Sequence, residues 1–295
     1  VFDGSRFLPN HAVEITGNVI SDLRPATGSD ALLDGTVAPA YLDLQVNGGG
    51  GVLIDGATAV EALRQVCAAH LRLGSAGVLP TLITDTAEAT AQVIASGIAA
   101  ARAGVPGFLG LHLEGPHLDP RRKGAHDPQL IRPMQAEDLA RLCDAARTLP
   151  ALMVTLAPES ASPEQIAALS DAGAVVSLGH TDCSFEVAQA AMAAGARCAT
   201  HLFNAMSQIA NRAPGLAGAV LSSDCAAGLI ADCIHVHPAV MQLALAARPE
   251  GIFLVTDCMA FAGTDQTEML LNGRMVLRRD GRLTLADVEG AARRA

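Results

Sequence analysis

The residues with the clearest chemical potential lie in the stretch 112–117 (HLEGPH), which is followed by 123–126 (KGAH). An apolar run, 108–111, leads directly into the carboxylate of Glu114 with histidines on either side. This pattern is typical of a buried strand that ends at a catalytic or metal-binding rim. One carboxylate binds an ion weakly, so other runs must bring ligands to the same place.

Glu114, His180 and His201 each come at or near the end of an apolar run and form the strongest set of candidate ligands. One glutamate oxygen and two imidazole nitrogens suit Zn²⁺ or a similar divalent ion. Three protein ligands leave an open position, at which a bound water can be acidified towards neutrality. A single histidine is more often structural, but three such residues at three predicted strand ends favour a metal centre.

Asp257 follows the apolar run 252–256 and is the candidate general acid and base. A carboxylate there can take a proton from water and later pass it to a leaving amine, because acids and bases exchange roles within one turnover. The alternative is a helix N-cap, a frequent structural role of aspartate. The apolar strand before Asp257 favours the catalytic role.

Two loops carry candidate substrate contacts. His126 lies in the segment 115–135, which has too many Pro and Gly residues for a helix, and it could polarise a carbonyl oxygen over the metal. Arg212 offers a two-pronged donor for phosphate, and Asn204 with backbone N–H groups could complete an anion site. The alternatives are a surface histidine and a solvated arginine.

From Tyr41 onward, short apolar runs alternate with Ala-rich helical stretches. The predicted strands are 41–46, 77–83, 107–113, 151–156, 174–179, 197–201, 226–232 and 252–256, and the predicted helices are 57–73, 86–103, 136–147, 163–172, 184–194 and 238–248. Pro163 and Pro238 mark two helix starts. This α/β pattern predicts a (β/α)8 TIM barrel, with a doubly wound open sheet as the alternative. A barrel would gather the polar strand ends around one mouth, whereas an open sheet would spread them along an edge.

The terminal segments have a different pattern, with short strand-like runs and many turn residues. They predict a small β domain that is built from residues 1–38 and 266–295 and accompanies a barrel of residues 39–265.

Composition excludes several classes of partner. The net charge is −10 and no basic run exceeds Arg121-Arg122-Lys123, which argues against nucleic acid and anionic membranes. The seven cysteines form no CxxC pair, no apolar run reaches the length of a membrane span, and the first thirty residues lack a signal-peptide pattern. We therefore expect a cytoplasmic protein. The glycines 48–51 lack the lysine of a nucleotide-binding loop and predict instead a tight turn with a close approach of backbone to ligand.

Eight stretches carry a resemblance to a known family, in the order that the family shows. They are 41–51 (YLDLQVNGGGG), 79–84 (LPTLIT), 111–116 (LHLEGP), 123–126 (KGAH), 178–181 (LGHT), 200–206 (THLFNAM), 228–236 (GLIADCIHV) and 254–257 (LVTD). Together they resemble the N-acetylglucosamine-6-phosphate deacetylase family of the amidohydrolase superfamily. The chain departs from the family pattern at His117 and at the junction of Asp287 with Val288.

The resemblance implies a (β/α)8 barrel with a small β domain. It also implies hydrolysis of N-acetylglucosamine 6-phosphate to glucosamine 6-phosphate and acetate, in amino-sugar catabolism. By the same resemblance, Glu114, His180 and His201 would bind the metal, with Asp257 and His126 as catalytic residues. The implied substrate-binding residues are Gln45, Asn47, His126, Asn204, Ala205, Arg212 and His235. Family members are commonly dimers, which implies a homodimer in which Arg212 reaches across the interface.

Gln45 and Asn47 stand where many amidohydrolases carry two histidines for a second metal. Neutral amides are weak ligands for a transition metal, which predicts one divalent ion, Zn²⁺ first, with Fe, Co or Mn as alternatives. Three other functions stay open: a cyclic-amide hydrolase, a deacetylase for the galactosamine epimer, and a non-catalytic sugar-phosphate sensor on the same barrel. A sensor would need no general base, so Asp257 argues against it.

Overall fold

The computed structural model describes residues 1–271, 273–286 and 292–294 and divides the chain into two compact units, 1–41 and 42–295. The smaller unit contains the antiparallel strands β1 (His11–Thr16) and β2 (Val19–Pro25). Arg24 on β2 donates hydrogen bonds to Asp30 at 2.8 and 3.0 Å, and the Thr27 N–H donates to the same carboxylate at 2.6 Å. This carboxylate therefore fixes the turn that follows the hairpin.

The larger unit is built on eight parallel strands that nearly close into a barrel. After β3 (Tyr41–Val46), the short strands β4 (Gly48–Gly49) and β5 (Val52–Leu53) form a separate antiparallel pair. The other barrel strands are β6 (Ser75–Ile83), β7 (Leu111–Glu114), β8 (Leu152–Leu156), β9 (Val175–Leu178), β10 (Cys198–Ala199), β11 (Ala226–Ile230) and β12 (Ile252–Val255). The sheet runs in the order β12-β11-β10-β9-β8-β7-β6-β3. A bridge between Val46 and Cys258 joins the two ends of this sheet. The predicted TIM barrel is confirmed.

Seven helices flank the described barrel strands. They are α1 (Val60–Arg72), α2 (Ala87–Arg102), α3 (Ala136–Thr148), α4 (Pro163–Asp171), α5 (Phe185–Ala193), α6 (Gly215–Leu221) and α7 (Pro238–Ala247). The starts at Pro163 and Pro238 are confirmed, and the Ser162 side chain caps α4 by accepting from the Gln165 N–H. The sequence did not predict α6, because seven almost wholly apolar residues show no polar face.

The third barrel strand begins later than predicted. The run 107–113 was expected to be strand, whereas β7 spans Leu111–Glu114. Gly107 and Gly110 have φ angles of 79° and 143°, so the chain turns through this segment before it enters the sheet. Glu114 is therefore the last residue of its strand, at the rim.

The glycines 48–51 form the predicted tight turn, since Gly50 and Gly51 have φ angles of 61° and 86° between the paired strands β4 and β5. The close approaches that the structure shows are within the protein: a Cβ at Gly48 would lie 2.2 Å from the Val52 carbonyl oxygen, and a Cβ at Gly49 would lie 2.8 Å from His70 Nε2. This turn packs against α1.

After the barrel, β13 (Glu268–Leu271), β14 (Arg274–Arg279), β15 (Arg282–Ala286) and β16 (Ala292–Arg294) form an antiparallel sheet. That residues 1–38 and 266–295 form one β domain stays a prediction, and residues 272, 287–291 and 295, with the Asp287–Val288 junction, lie outside the described residues. Across the described ranges, no helix is both long enough and apolar enough to cross a membrane.

Candidate metal centre and substrate cavity

The carboxyl ends of four barrel strands bring the main candidates together. Glu114 ends β7, while His180, His201 and Asp257 follow β9, β10 and β12 by two residues each. All three following residues adopt positive φ angles, of 48°, 33° and 50°. This backbone conformation costs a non-glycine residue about 1–3 kcal/mol, so the surrounding barrel must hold it. The turn at each strand end aims the side chain into the mouth.

Glu114, His180 and His201, here called the metal centre, meet through single atoms. Glu114 Oε1 lies 3.1 Å from His180 Nε2 and 3.1 Å from His201 Nε2, and the two imidazole nitrogens lie 3.0 Å apart. All three residues are buried. Burial raises the pKa of Glu114, but the two histidines outweigh it and hold that pKa well below its usual range. The glutamate is therefore ionised.

The donor set of the metal centre fits a divalent ion. His180 Nδ1 lies 2.8 Å from the Arg122 carbonyl oxygen, which can only accept, so the neutral ring carries its proton on Nδ1 and a lone pair on Nε2. In that neutral form the lone pair faces a carboxylate oxygen, and a cation between the two atoms would satisfy both. One carboxylate oxygen and two imidazole nitrogens, all buried and 3.0–3.1 Å apart, are the ligand types of a divalent ion such as Zn²⁺, and these three residues would hold it.

His126 is buried beside the metal centre, and its ligand atom lies within 4.8 Å of those of Glu114 and His180. Its Nδ1 accepts a hydrogen bond from the Thr84 N–H at 3.2 Å and lies 2.7 Å from Thr84 Oγ1. The neutral ring therefore carries its proton on Nε2. Burial and the neighbouring His180 lower the pKa of His126 to about 3, so the ring is a neutral hydrogen-bond donor.

Asp257 is held by Asn47, whose Nδ2 donates to Asp257 Oδ1 at 2.8 Å. Burial, and then the negative charge of Glu114, raise the pKa of Asp257 to about 6. A carboxylate with a pKa near neutrality can both accept and return a proton at physiological pH, as a general acid and base must.

A cavity of about 420 Å³ opens above the metal centre, and it contains most of the predicted site residues. Its lining includes Glu114, His126, His180, His201, Asp257, Asn47, Asn204, Ala205 and His235. His235 Nδ1 lies 2.6 Å from Asp232 Oδ2, which orients the ring. The barrel thus gathers residues from most of its length around one concave site.

Two predicted site residues lie elsewhere. Gln45 is buried beneath the cavity, where its Nε2 donates to Glu114 Oε1 at 3.1 Å. Arg212 is exposed and does not line the cavity within the part of the chain that the structure describes. Their roles as substrate-binding residues stay predictions.

Several residues near the site were not identified from the sequence. Thr84 orients His126, the Arg122 carbonyl orients His180, and both Arg121 and Arg122 line the cavity. The available sequence signals were the basic run before Gly124 and the family-like stretches 41–51 and 79–84, which contain Asp43 and Thr84. Asp43 is buried and accepts a hydrogen bond from Thr256 Oγ1 at 2.6 Å, beside Asp257.

Comparison with known proteins identifies the class. The amidohydrolase family model matches residues 36–277. The chain therefore belongs to the amidohydrolase family, and the prediction of a hydrolase is confirmed. The family is metal-dependent, which agrees with the donor set of the metal centre.

Within the family, the chain is similar to deacetylases of phosphorylated amino sugars. An N-acetylgalactosamine-6-phosphate deacetylase from Shewanella sp. (strain ANA-3) is 38% identical over 294 residues, which cover 95% of this chain and 73% of the relative. The crystal structure of N-acetylglucosamine-6-phosphate deacetylase from Pasteurella multocida superposes with a TM-score of 0.87 at 33% identity, over 98% of this chain and 77% of that one. A mutant N-acetyl-D-glucosamine-6-phosphate deacetylase from Mycobacterium smegmatis, in complex with N-acetyl-D-glucosamine-6-phosphate, gives a TM-score of 0.85 at 32% identity, over 95% and 74% of the two chains.

Proposed function

We propose that this protein hydrolyses the N-acetyl group of N-acetylglucosamine 6-phosphate, giving glucosamine 6-phosphate and acetate, in amino-sugar catabolism. The observation that carries the proposal is the convergence of the metal centre, a neutral His126 donor and a near-neutral Asp257 in one cavity. The similarity to two N-acetylglucosamine-6-phosphate deacetylases of known structure supports the substrate.

The metal ion is proposed to be a single divalent ion, Zn²⁺ first, held by Glu114, His180 and His201. Gln45 and Asn47 support a single ion. The Gln45 amide donates to Glu114 at 3.1 Å and the Asn47 amide donates to Asp257 at 2.8 Å, so N–H groups stand where a second ion would need ligand atoms. When bound, the ion supplies a Lewis acid and acidifies water.

The chain's own residues supply the proton transfers. Asp257 accepts a proton as the water oxygen attacks the amide carbon, and His126 Nε2–H donates to the carbonyl oxygen as it gains negative charge. Asp257 then returns the proton to the amide nitrogen as the C–N bond breaks, so that acetate and the amine leave. Asn47 orients Asp257 throughout through its 2.8 Å hydrogen bond.

We propose that the sugar phosphate lies along the side of the cavity formed by Asn204, the Ala205 backbone and His235. Arg212 is exposed, which supports a homodimer in which each copy supplies Arg212 to the other's phosphate. A cytoplasmic location is supported by seven free cysteine thiols.

Acetate release by the purified, metal-loaded protein tests this proposal. Asp257→Asn should bind the same amount of metal but lose about 10²–10⁴-fold in kcat, since it cannot accept the proton. Near-normal turnover by that variant would remove Asp257 from the mechanism. Arg212→Ala should lower kcat/KM for the phosphorylated substrate far more than for N-acetylglucosamine itself. Equal losses for the two substrates would contradict the role of Arg212 in phosphate recognition.

The galactosamine epimer is the second candidate substrate, because the Shewanella relative carries that name at 38% identity. Deacetylation of the two 6-phosphates should be compared side by side by kcat/KM. A clear preference for N-acetylgalactosamine 6-phosphate would change the proposed substrate but not the proposed mechanism of amide hydrolysis.

A further inference from the structure

One side of the cavity is apolar, although the proposed substrate is a polar sugar phosphate. Five side chains, here called the apolar wall, line it: Leu53, Ile83, Met259, Leu271 and Leu283. They belong to one hydrophobic cluster that is packed around the buried residues Phe261, Leu271 and Val276. The wall is therefore a continuous surface and not a set of scattered side chains.

The end of the apolar wall formed by Ile83 lies across the barrel mouth from Asn204 and Ala205, while Met259 at its other end follows β12. Ile83 ends β6 and pairs with Glu114, so the wall begins directly beside the metal centre. Asn204 and Ala205 follow β10. In the sheet order, β6 and β10 are four strands apart in a ring of eight, which places them across the mouth from each other.

A linear amide has two arms, the amine and the acyl group, which leave the carbonyl carbon in different directions. With the scissile carbonyl at the metal centre and the amino-sugar phosphate on the side of Asn204, the acyl arm extends across the mouth towards Ile83 and the apolar wall that continues from it. An acetyl group offers this wall a single methyl. The wall therefore has apolar surface for further methylene groups.

We propose that this protein removes longer saturated acyl groups, such as propionyl and butyryl, from 6-phosphorylated amino sugars at least as well as acetyl. This inference rests on the proposed deacetylation. The reaction is the same: water adds to the carbonyl carbon, the C–N bond breaks, and the amine leaves with the proton as the carboxylate forms. Each methylene that the wall buries raises kcat/KM by up to about fourfold.

The test measures release of glucosamine 6-phosphate from its N-acetyl, N-propionyl and N-butyryl derivatives by the metal-loaded protein. A butyryl-to-acetyl ratio of kcat/KM of one or more supports the inference, and a ratio below one overturns it while acetate release still supports the proposed function. No amine release from any derivative overturns both.

Two variants locate the acyl arm. Leu283→Phe and Met259→Phe add bulk to the apolar wall from different segments of the chain, and each should lower the butyryl-to-acetyl ratio at least threefold. Leu270→Phe is the matched control: it makes the same change at the exposed neighbour of Leu271, and the ratio should not move. If wall variants that fold, judged by their thermal transitions, keep the wild-type ratio, the acyl arm does not contact the wall.

Discussion

Asp43 ties the first barrel strand to the last, and its removal should damage both stability and catalysis. Asp43 Oδ2 accepts from Thr256 Oγ1 at 2.6 Å, and Oδ1 accepts from the backbone N–H groups of Thr256 and Gln45 at 3.2 Å each. The Asp257 N–H donates to the Gln45 carbonyl at 3.0 Å. The carboxylate of Asp43 thus fixes the residues on both sides of the hydrogen bond that holds Asp257.

The size of the effect follows from these contacts. Asp43→Ala leaves the buried Gln45 N–H without its acceptor, at a cost of about 1–3 kcal/mol, while the two donors of the exposed Thr256 can turn to water, so the free energy of unfolding should fall by about 1–3 kcal/mol. Asp43→Asn keeps one acceptor oxygen and should lose about 1–2 kcal/mol. Asp257 has a strained φ of 50°, and a displacement of its carboxylate by about 1 Å would lower kcat on the order of 10²-fold.

Urea unfolding and steady-state kinetics of both Asp43 variants check this prediction, with metal content measured on each sample. Thr256→Val removes the 2.6 Å hydrogen bond between Thr256 Oγ1 and Asp43 by deleting its donor. A double-mutant cycle of Thr256→Val with Asp43→Asn should therefore show a coupling energy. We expect kcat to fall more than KM rises, because Asp43 makes no direct hydrogen bond to the metal ligands or to the polar side of the cavity. Additive losses, or an Asp43→Ala variant with wild-type kcat, would refute the reasoning.

Three further predictions concern the metal and the fold. Chelation should lower the melting temperature, and Zn²⁺ at a hundred times its Kd should restore about 2.7 kcal/mol, whereas a Glu114→Gln variant should respond far less. Arg132, by its hydrogen bonds, lowers the pKa of Asp138 to about 2, so the stability that the pair provides is present above about pH 4 and is lost as pH falls towards 2. In urea unfolding, the free energy of unfolding of the wild type should therefore exceed that of Asp138→Asn by about 1–2 kcal/mol at pH 6, and the two values should converge near pH 2. A difference that does not change with pH would contradict this linkage. Gly110→Ala should lower the urea midpoint strongly, because φ is 143° and the new Cβ would lie 2.0 Å from the Ala151 carbonyl oxygen, whereas Gly104→Ala, which has open space around it, should cost about 1 kcal/mol.

The local pattern predicted the framework well. Strand β3 and the start of α3 lie where the sequence placed them, because apolar runs and helix periods depend on neighbouring residues. The prediction was weakest at strand ends: β7 starts late because Gly107 and Gly110 turn the chain.

The sequence by itself determined which residues stand at the carboxyl ends of the strands, because strand ends are marked by the switch from apolar runs to Glu114, His180, His201 and Asp257. It could not determine how their atoms meet. His201 contacts Glu114 across 87 residues, and Thr256 contacts Asp43 across 213. Such contacts exist only once the barrel closes.

Tertiary structure alone decided the orientation of the side chains at the mouth. The closed barrel brought the Gln45 amide to Glu114, left Arg212 exposed and set the proton of His126 on Nε2 through Thr84. It also gathered an apolar wall along the cavity. A sequence period specifies which face of a strand a residue occupies. Which partner it meets there depends on strand order and on burial, which only the closed barrel fixes.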